Sequence, residues 1–353
     1  MTRMHSTHPS GTFLGVQALR FVAALLVVAF HVPTYVADRL GVDLPEVPTG
    51  QIGVAVFFAI SGFVAVLVTS RSPRPSWQDF LRRRLVRIVP LAWLLTALKL
   101  GTALLAPGAL QRATLDPGYV AASFLFVPAR GEDGIVQPLH TVEWTLVLEM
   151  AFYLVITIAL VCRRSPSVVA AVVLGALSVA SVFRDDDYPA WQFYADPIVL
   201  CFLAGMVVAH WAADRRTGTA VARLGALVAF SAVVAALGGE PVGRWVLLPI
   251  AAMTLAAVVA AEPLLRRFVG PTAVTLGDAS YALYLTHPVV APVTVAAVGF
   301  VVDDVSPVAA ALVAVVAVGV AVGAAVVVWF AVDRPLLRTL NRSLGRRRRL
   351  LPR

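Results

Sequence analysis

Long apolar segments alternate with short polar connections along the whole chain of 353 residues. Most of these segments approach the roughly 20 residues that an α-helix needs to cross a membrane. None shows the period-two alternation that is typical of a transmembrane β-barrel. The pattern therefore predicts an all-α, polytopic transmembrane helical bundle of about ten spans. The predicted spans are about 19–37, 52–70, 88–106, 141–161, 166–183, 192–211, 222–238, 245–261, 273–299 and 307–331.

The charges are distributed unevenly between the segments that join these spans. Only 14% of the residues are charged and 59% are hydrophobic, which excludes an ordinary soluble domain. If the N-terminus is inside, most arginines fall on inner segments, and the positive-inside rule then predicts that both termini are cytoplasmic. This bias accounts for the basic pI, so nucleic acid is not an expected partner. The arginines on outer segments are Arg39, Arg112, Arg130, Arg184 and Arg244.

The whole chain, 1–353, reads as one integral-membrane domain that ends in a basic cytoplasmic tail, 333–353. The run Arg346–Arg349 in that tail is expected to lie on anionic lipid. The longest outer loop, 107–140, contains a half-buried piece at 119–127 and is expected to be a lid or an acceptor platform. The two cysteines indicate neither a disulfide framework nor a metal site.

The first span carries two ionisable residues that stand out. Arg20 lies at its beginning, and His31 follows about 16 Å further along the helix axis. If Arg20 is at the membrane surface, His31 is near the middle of a hydrocarbon core about 30 Å thick. An ionisable residue at that depth indicates a functional site, whereas the structural alternative is a histidine bonded to a neighbouring helix.

Arginines also cluster just before the third predicted span. Arg84 and Arg87 are three residues apart, so they share one face of a helix, ahead of Pro90. Two guanidinium groups on one face suit a phosphate-bearing ligand. The alternative for the same residues is topology determination combined with binding of lipid headgroups.

The fourth span contains a carboxylate two turns from its outer end. Burying the Glu149 carboxylate at that depth is energetically unfavourable unless it is paired or faces water. Glu149 is therefore a candidate to orient His31, to accept its proton or to hold an acceptor hydroxyl. Glu143, nearer the surface, is expected to be solvated.

Two further stretches combine small and polar residues. The segment 51–63 carries Gly53, Ser61 and Gly62, which allow close approach between helices. In the ninth span, Tyr284 and His287 share a face, and a structural polar network is the alternative to a functional role.

In this order, the motifs resemble those of the membrane-bound acyltransferase-3 family, which includes bacterial O-acyltransferases of surface glycans, peptidoglycan and macrolides. The matching motifs are Leu19-Arg20 with His31, 53–63, Arg84 with Arg87, Trp144-Thr145-Leu146 with Glu149 and Phe152-Tyr153, and Ser280-Tyr281 with Tyr284-Leu285 and His287-Pro288. The chain departs from the family at Thr286, where tryptophan is common, at Met150, and at Asp333-Arg334-Pro335 in place of Glu-Arg-Pro.

The resemblance implies a multi-pass enzyme of the bacterial cytoplasmic (inner) membrane. It would move an acyl group, with acetyl expected, from cytoplasmic acyl-CoA to a hydroxyl of a glycan or a glycosylated small molecule. It implies acyl-CoA as co-substrate, no bound cofactor and no metal. The implied site residues are His31 as general base with Glu149, then Arg20, Arg84 and Arg87 for acyl-CoA, then Trp144, Tyr153, Ser280, Tyr284 and His287 for the acceptor pocket or its supporting network.

Two other functions are compatible with the same residues. In a transporter or exporter, Arg20, His31 and Glu149 would form a substrate or proton relay, with no requirement for acyl-CoA. In a non-enzymatic assembly or sensor protein, the motifs would serve helix packing alone, although intramembrane ionisable groups argue against that.

Overall fold

The computed structural model describes residues 13–45, 49–106, 114–185, 187–239, 244, 246–300 and 305–350, with 343–350 described by their backbone alone. Arg3, Arg112 and the side chains of Arg346–Arg349 therefore lie outside the described residues. The α-helices are α1 (Leu14–Leu40), α2 (Gly50–Thr69), α3 (Trp77–Leu105), α4 (Pro117–Phe124), α5 (Trp144–Val161), α6 (Pro166–Ala180), α7 (Leu200–Asp214), α8 (Thr217–Leu237), α9 (Leu247–Ala260), α10 (Glu262–Phe268), α11 (Pro271–Gly299), α12 (Pro307–Val328) and α13 (Arg334–Leu350).

The helices confirm the predicted all-α transmembrane class. Within the described residues, 9 helices are long and apolar enough to cross a membrane, or up to 10 if a bent pair counts as one span. That pair is α9 and α10, which meet at 71°. The side of the membrane on which the termini lie stays a prediction.

The third span begins earlier than the apolar pattern predicted. Ser76 caps α3 by accepting a hydrogen bond from the amide of Asp79, and the helix runs from Trp77. The arginines that were expected to precede the span therefore belong to its first turns. Helical geometry, rather than a flexible connection, fixes the directions of Arg84 and Arg87.

The outer loop contains a short helix, α4, where the sequence predicted a half-buried piece at 119–127. Asp116 caps this helix by accepting from the amide of Tyr119 at 2.8 Å. The Tyr119 hydroxyl donates to the backbone oxygen of Gln137 at 2.8 Å, which ties the helix to the end of the loop. Residues 107–113 of this loop lie outside the described part of the chain.

The centre of the bundle is formed by α1, α2, α7 and α11, with α1 packed against both α2 and α11 and with α2 packed against α7. The crossing of α2 and α7 depends on glycine. A Cβ atom added at Gly205 would overlap the backbone of Ala59, and one added at Gly62 would overlap the backbone of Phe202. This close approach confirms the packing role predicted for Gly62.

Two local features set the position of the functional helices. Both carboxylate oxygens of Glu262 accept hydrogen bonds from the first amides of α1, Leu14 at 2.8 Å and Gly15 at 2.9 Å. A carboxylate satisfies the free amides of a helix N-terminus and complements its dipole. At the other end of the chain, a π-helical turn at Trp329–Asp333 joins α12 to α13. Such turns change the direction in which side chains project.

Candidate functional site

Side chains of five helices line a cavity of about 130 Å³. Charged, aromatic and apolar side chains all contribute to this lining, which is the composition of a site for a ligand with both polar and apolar parts. The cavity is lined by Arg20 of α1, by Val54, Phe57, Phe58, Ile60, Ser61 and Val64 of α2, by Arg84, Arg87 and Ile88 of α3, by Thr145, Leu146, Glu149 and Tyr153 of α5, and by Tyr281 and Tyr284 of α11.

Two hydroxyl groups hold the Glu149 carboxylate in this cavity. Its Oε1 atom accepts hydrogen bonds from the Ser61 hydroxyl at 2.5 Å and from the Tyr153 hydroxyl at 2.7 Å. Tyr153 is one turn further along α5, whereas Ser61 comes from α2. Because both donors use the same oxygen, Oε2 stays available to another donor. Hydrogen bonds to a charged acceptor are strong, so the carboxylate is held in a defined orientation.

The guanidinium of Arg84 is held by aromatic rings. It lies 5.4 Å from the centroid of Phe80 and 5.2 Å from that of Tyr153. Its Nε atom is buried and has no hydrogen-bond partner among the described residues. A buried donor without an acceptor is unfavourable, so this group indicates a position for an acceptor that comes from outside the protein.

Arg20 lines the same cavity from α1. The structure shows no hydrogen bond or ion pair between its guanidinium and any described residue. Glu149 and Arg87 are close enough to act on it electrostatically, the first attracting it and the second repelling it. Arg20 and Arg84 thus present two positive charges to the cavity.

Arg87 differs from these two arginines because the protein itself occupies its donors. Its Nη1 donates to the carboxylate of Asp333 at 3.0 Å, and its Nη2 donates to the backbone oxygen of Asp278 at 3.2 Å. The rings of Tyr281 and Trp329 lie 5.4 and 5.5 Å from the guanidinium carbon. Arg87 therefore joins α3 to α11 and to the π-helical turn as well as lining the cavity.

His31 pairs with a second histidine and not with Glu149. Its Nδ1 lies 2.8 Å from the backbone oxygen of Val27 and 3.3 Å from Nε2 of His287. The ring of Tyr35 stacks on it, with centroids 6.3 Å apart. The hydrogen bonds of Glu149 go to other residues, so the expected carboxylate–histidine pair is not formed in this structure. Sequence spacing could not exclude that pair, because α1 and α5 are far apart along the chain.

Tyr284 lies between the cavity and the histidine pair. Its ring lines the cavity, where it contacts Phe57 edge-on with centroids 5.9 Å apart, and it lies 6.1 Å from the ring of His287. Its hydroxyl donates to the backbone oxygen of Val142 at 2.6 Å. One aromatic side chain thus separates the arginines from the histidines.

The other two residues expected in an acceptor pocket are in supporting positions. The Ser280 hydroxyl donates to the backbone oxygen of Gly277 at 2.7 Å and is fully buried. The Trp144 ring packs edge-on against Phe193, with centroids 6.5 Å apart. Neither residue lines the cavity, in contrast to Tyr153 and Tyr284.

The expectation that Glu143 is solvated was wrong. Its side chain is 0% exposed, and both of its carboxylate oxygens accept from the Thr96 hydroxyl, at 2.9 and 2.8 Å. Lys99 is near enough to act on it electrostatically. A 3₁₀ turn at Thr141–Glu143 directs the carboxylate inward, next to His140, whose Nε2 donates to the Leu285 backbone oxygen at 2.8 Å. Lys99, a lysine inside a predicted span, was the signal in the sequence for this second polar cluster.

Metal binding was not expected from the sequence. In the part of the chain that the structure describes, no three histidine, cysteine, aspartate or glutamate side chains form a group that could hold a metal ion.

A family model described as an acyltransferase domain, of the acyltransferase-3 type, matches residues 13–330. An exopolysaccharide production protein, ExoZ, of Rhizobium meliloti is 34% identical over 312 residues, which cover 85% of this chain and 92% of that protein. The acyltransferase MdmB of Streptomyces mycarofaciens is 37% identical over 142 residues, which cover 38% of this chain and 36% of that protein. No solved structure matches this chain significantly.

Proposed function

This chain belongs to the acyltransferase-3 family, and from that premise we propose that it transfers an acyl group from cytoplasmic acyl-CoA to a hydroxyl group of a carbohydrate or a glycosylated metabolite. The family establishes a multi-pass membrane acyltransferase whose transferred group is not an aminoacyl group.

The observation that carries the proposal for the donor is the buried Nε of Arg84, which has no hydrogen-bond partner among the described residues, in a cavity that Arg20 also lines. Acyl-CoA carries several phosphate charges at one end and a thioester at the other. Guanidinium groups bind phosphate oxygens in fork-like pairs. The phenylalanine and isoleucine side chains of α2 would then contact the apolar part of the donor. Arg87, which is bonded to Asp333, would hold the arginine face in place and contribute charge.

The proposed chemistry is direct transfer, with His31 as general base. His31 takes the proton of the acceptor hydroxyl while that oxygen attacks the thioester carbonyl. The carbon–sulfur bond breaks, and the CoA thiolate then takes the proton from His31. The products are an O-acyl ester and free CoA. His31 lies beyond Tyr284 from the arginines, so the thioester end of the donor would pass Tyr284 to reach it.

Glu149 would act on the donor side of the cavity. Both hydrogen bonds that the described residues make to its carboxylate use Oε1, and its charge attracts Arg20. We therefore assign it to orienting Arg20 and the donor, in place of the expected pairing with His31.

The proposal for the acceptor depends on similarity. ExoZ is named for exopolysaccharide production and is aligned over most of both chains. The motifs also resemble those of macrolide O-acyltransferases. The proposed acceptor is therefore a sugar hydroxyl, the proposed acyl group is acetyl, and the proposed location is the bacterial cytoplasmic membrane, with Arg20 and Arg84 toward the cytoplasm.

The test begins with binding of acetyl-CoA to purified protein in detergent, since it needs no acceptor. We expect saturable binding by wild type and a loss of about 10- to 100-fold in Arg84→Met, because a hydrogen bond to a charged group contributes about 1.5–3 kcal/mol. Arg83→Met is the matched control, because Arg83 is on the same helix but exposed. The donor assignment is wrong if folded wild type does not bind acetyl-CoA, and a transporter then becomes the better hypothesis.

A second assay tests the transfer itself. Release of CoA thiol from acetyl-CoA is measured with oligosaccharide fragments and with a glycosylated macrolide as acceptors. We expect acceptor-dependent release by wild type and none above background by His31→Gln. Near-native turnover in His31→Gln would exclude His31 as the base.

A further inference from the structure

The geometry points to His287 as a positioning residue that holds His31 in the tautomer whose Nε2 atom is the unprotonated base. This inference rests on the proposed function for its catalytic meaning, but the tautomer itself can be measured without any substrate. The hydrogen-bond partners of each ring nitrogen determine the tautomer of each histidine.

The surroundings of His31 assign its proton to Nδ1. That atom lies 2.8 Å from the backbone oxygen of Val27. A carbonyl oxygen can only accept a hydrogen bond, so Nδ1 must be the donor. In the neutral ring, Nε2 then carries a lone pair. The His31 side chain is only partly buried.

His287 also carries its proton on Nδ1. Its Nδ1 lies 3.2 Å from the backbone oxygen of Leu283, one turn earlier in α11, and therefore donates. Its Nε2 is then the unprotonated atom, and it is the one that faces Nδ1 of His31 at 3.3 Å. The proton on His31 can thus be shared between the Val27 oxygen and the His287 lone pair. The two assignments are consistent with each other.

The packing around His287 makes it a fixed support. Its side chain is 0% exposed, and α11 and α1 pack along their lengths. The arrangement is analogous to a carboxylate that holds a catalytic imidazole in one tautomer. Here the support is a neutral ring, which costs less to bury in an apolar bundle than a carboxylate does. When His31 takes a proton on Nε2, its Nδ1–H becomes a stronger donor to His287, so the support strengthens as the reaction proceeds.

The deciding experiment is nitrogen NMR on wild-type protein, labelled with ¹⁵N-histidine, in detergent micelles without ligands. The coupling pattern between ring nitrogens and ring protons distinguishes the two neutral tautomers. His31→Gln and His287→Gln identify the signals. We expect both rings to be protonated at Nδ1 and bare at Nε2. A His31 ring that is protonated at Nε2 in the wild type would overturn the inference.

Substitution of His287 adds a functional readout. A Gln side chain can place its carbonyl oxygen near the position of Nε2, whereas Leu has no acceptor. In the CoA-release assay we expect His287→Leu to lower kcat about 10- to 100-fold, the usual cost of losing a residue that orients a catalytic group. We expect KM for acetyl-CoA to stay unchanged and His287→Gln to recover part of the loss.

The outcomes separate this inference from the proposed function. If the tautomers are as assigned but acetyl-CoA neither binds nor reacts, the proposed function fails and the histidine arrangement stands. If acyl transfer depends on His31 but His287→Leu equals His287→Gln in kcat, the positioning role of His287 is wrong.

Discussion

The carboxylate of Asp333 accepts a 3.0 Å hydrogen bond from the guanidinium of Arg87, although the two residues are 246 positions apart in the sequence. The Asp333 side chain is 2% exposed and the Arg87 side chain is 26% exposed, so the carboxylate is removed from water and the guanidinium is partly buried. It connects the helix that carries Arg84 to the π-helical turn near the end of the chain.

Removal of one partner from this pair should destabilise the protein. We expect Asp333→Leu to lower the free energy of unfolding by about 3 kcal/mol, because it leaves a partly buried cation without its counter-charge. The double variant Arg87→Met with Asp333→Leu should lose less than the sum of the single changes. Thermal unfolding in detergent measures this, with Arg83→Met as control. Additive effects would show that the two charges are not coupled.

Loss of the hydrogen bonds to Glu149 should lower the turnover rate more than it lowers the stability of the protein. We expect Tyr153→Phe and Ser61→Ala each to lower the CoA-release rate by about tenfold, because each removes a donor to a charged group. Thr157→Val is the control: this residue lies on the same helix, and among the described residues its hydroxyl donates to the Tyr153 backbone oxygen and not to Glu149. Equal rates for Tyr153→Phe and wild type would mean that the orientation of Glu149 does not limit the reaction.

The crossing of α2 and α7 should not tolerate a side chain at Gly205. An added methyl group would overlap the backbone of Ala59, and backbone cannot move aside as a flexible side chain can. We therefore expect Gly205→Ala to lower the melting temperature strongly and to reduce activity, because α2 carries Ser61. Gly225→Ala is the control, since nothing lies within 4 Å of a Cβ there. That change should be neutral or stabilise by about 0.5–1 kcal/mol.

The predicted topology can be tested with a native cysteine. Cys162 is exposed and follows the predicted inner end of α5, whereas Cys201 is buried. A membrane-impermeant maleimide should label Cys162 only after cells are permeabilised. The control is Glu132→Cys in the outer loop, which should be labelled in intact cells. Labelling of Cys162 in intact cells would reverse the predicted orientation of the chain.

Hydrophobic patterning predicted the class of this protein and the approximate positions of its long helices. The ninth span, predicted at 273–299, is observed at Pro271–Gly299, and the tenth, predicted at 307–331, is observed at Pro307–Val328 followed by the π-helical turn. Every backbone polar group in a bilayer must form a hydrogen bond within the protein. A long apolar segment that crosses the bilayer therefore folds as a helix. At α3, polar residues precede the apolar ones, and the hydrophobic pattern did not predict where the helix begins.

The sequence also indicated individual ionisable residues of the candidate site. Arg20, Arg84, Arg87 and Glu149 were expected at a functional site, and the structure brings all of them to one cavity. An ionisable residue inside a membrane span is conspicuous because it is costly there. Glu143 lies near the end of a span, which suggested that its carboxylate is solvated. A local 3₁₀ turn instead directs the carboxylate inward, where it accepts a hydrogen bond from Thr96.

Only the tertiary structure decided which residues are partners. His31 pairs with His287 across 256 positions, not with Glu149. Asp333 holds Arg87, while the buried Nε of Arg84 has no acceptor among the described residues. In a membrane helix that is apolar on all sides, hydropathy does not mark which face meets which neighbour. Close packing at small residues such as Gly62 and Gly205 sets the rotation of each helix, and that rotation determines which polar side chains meet.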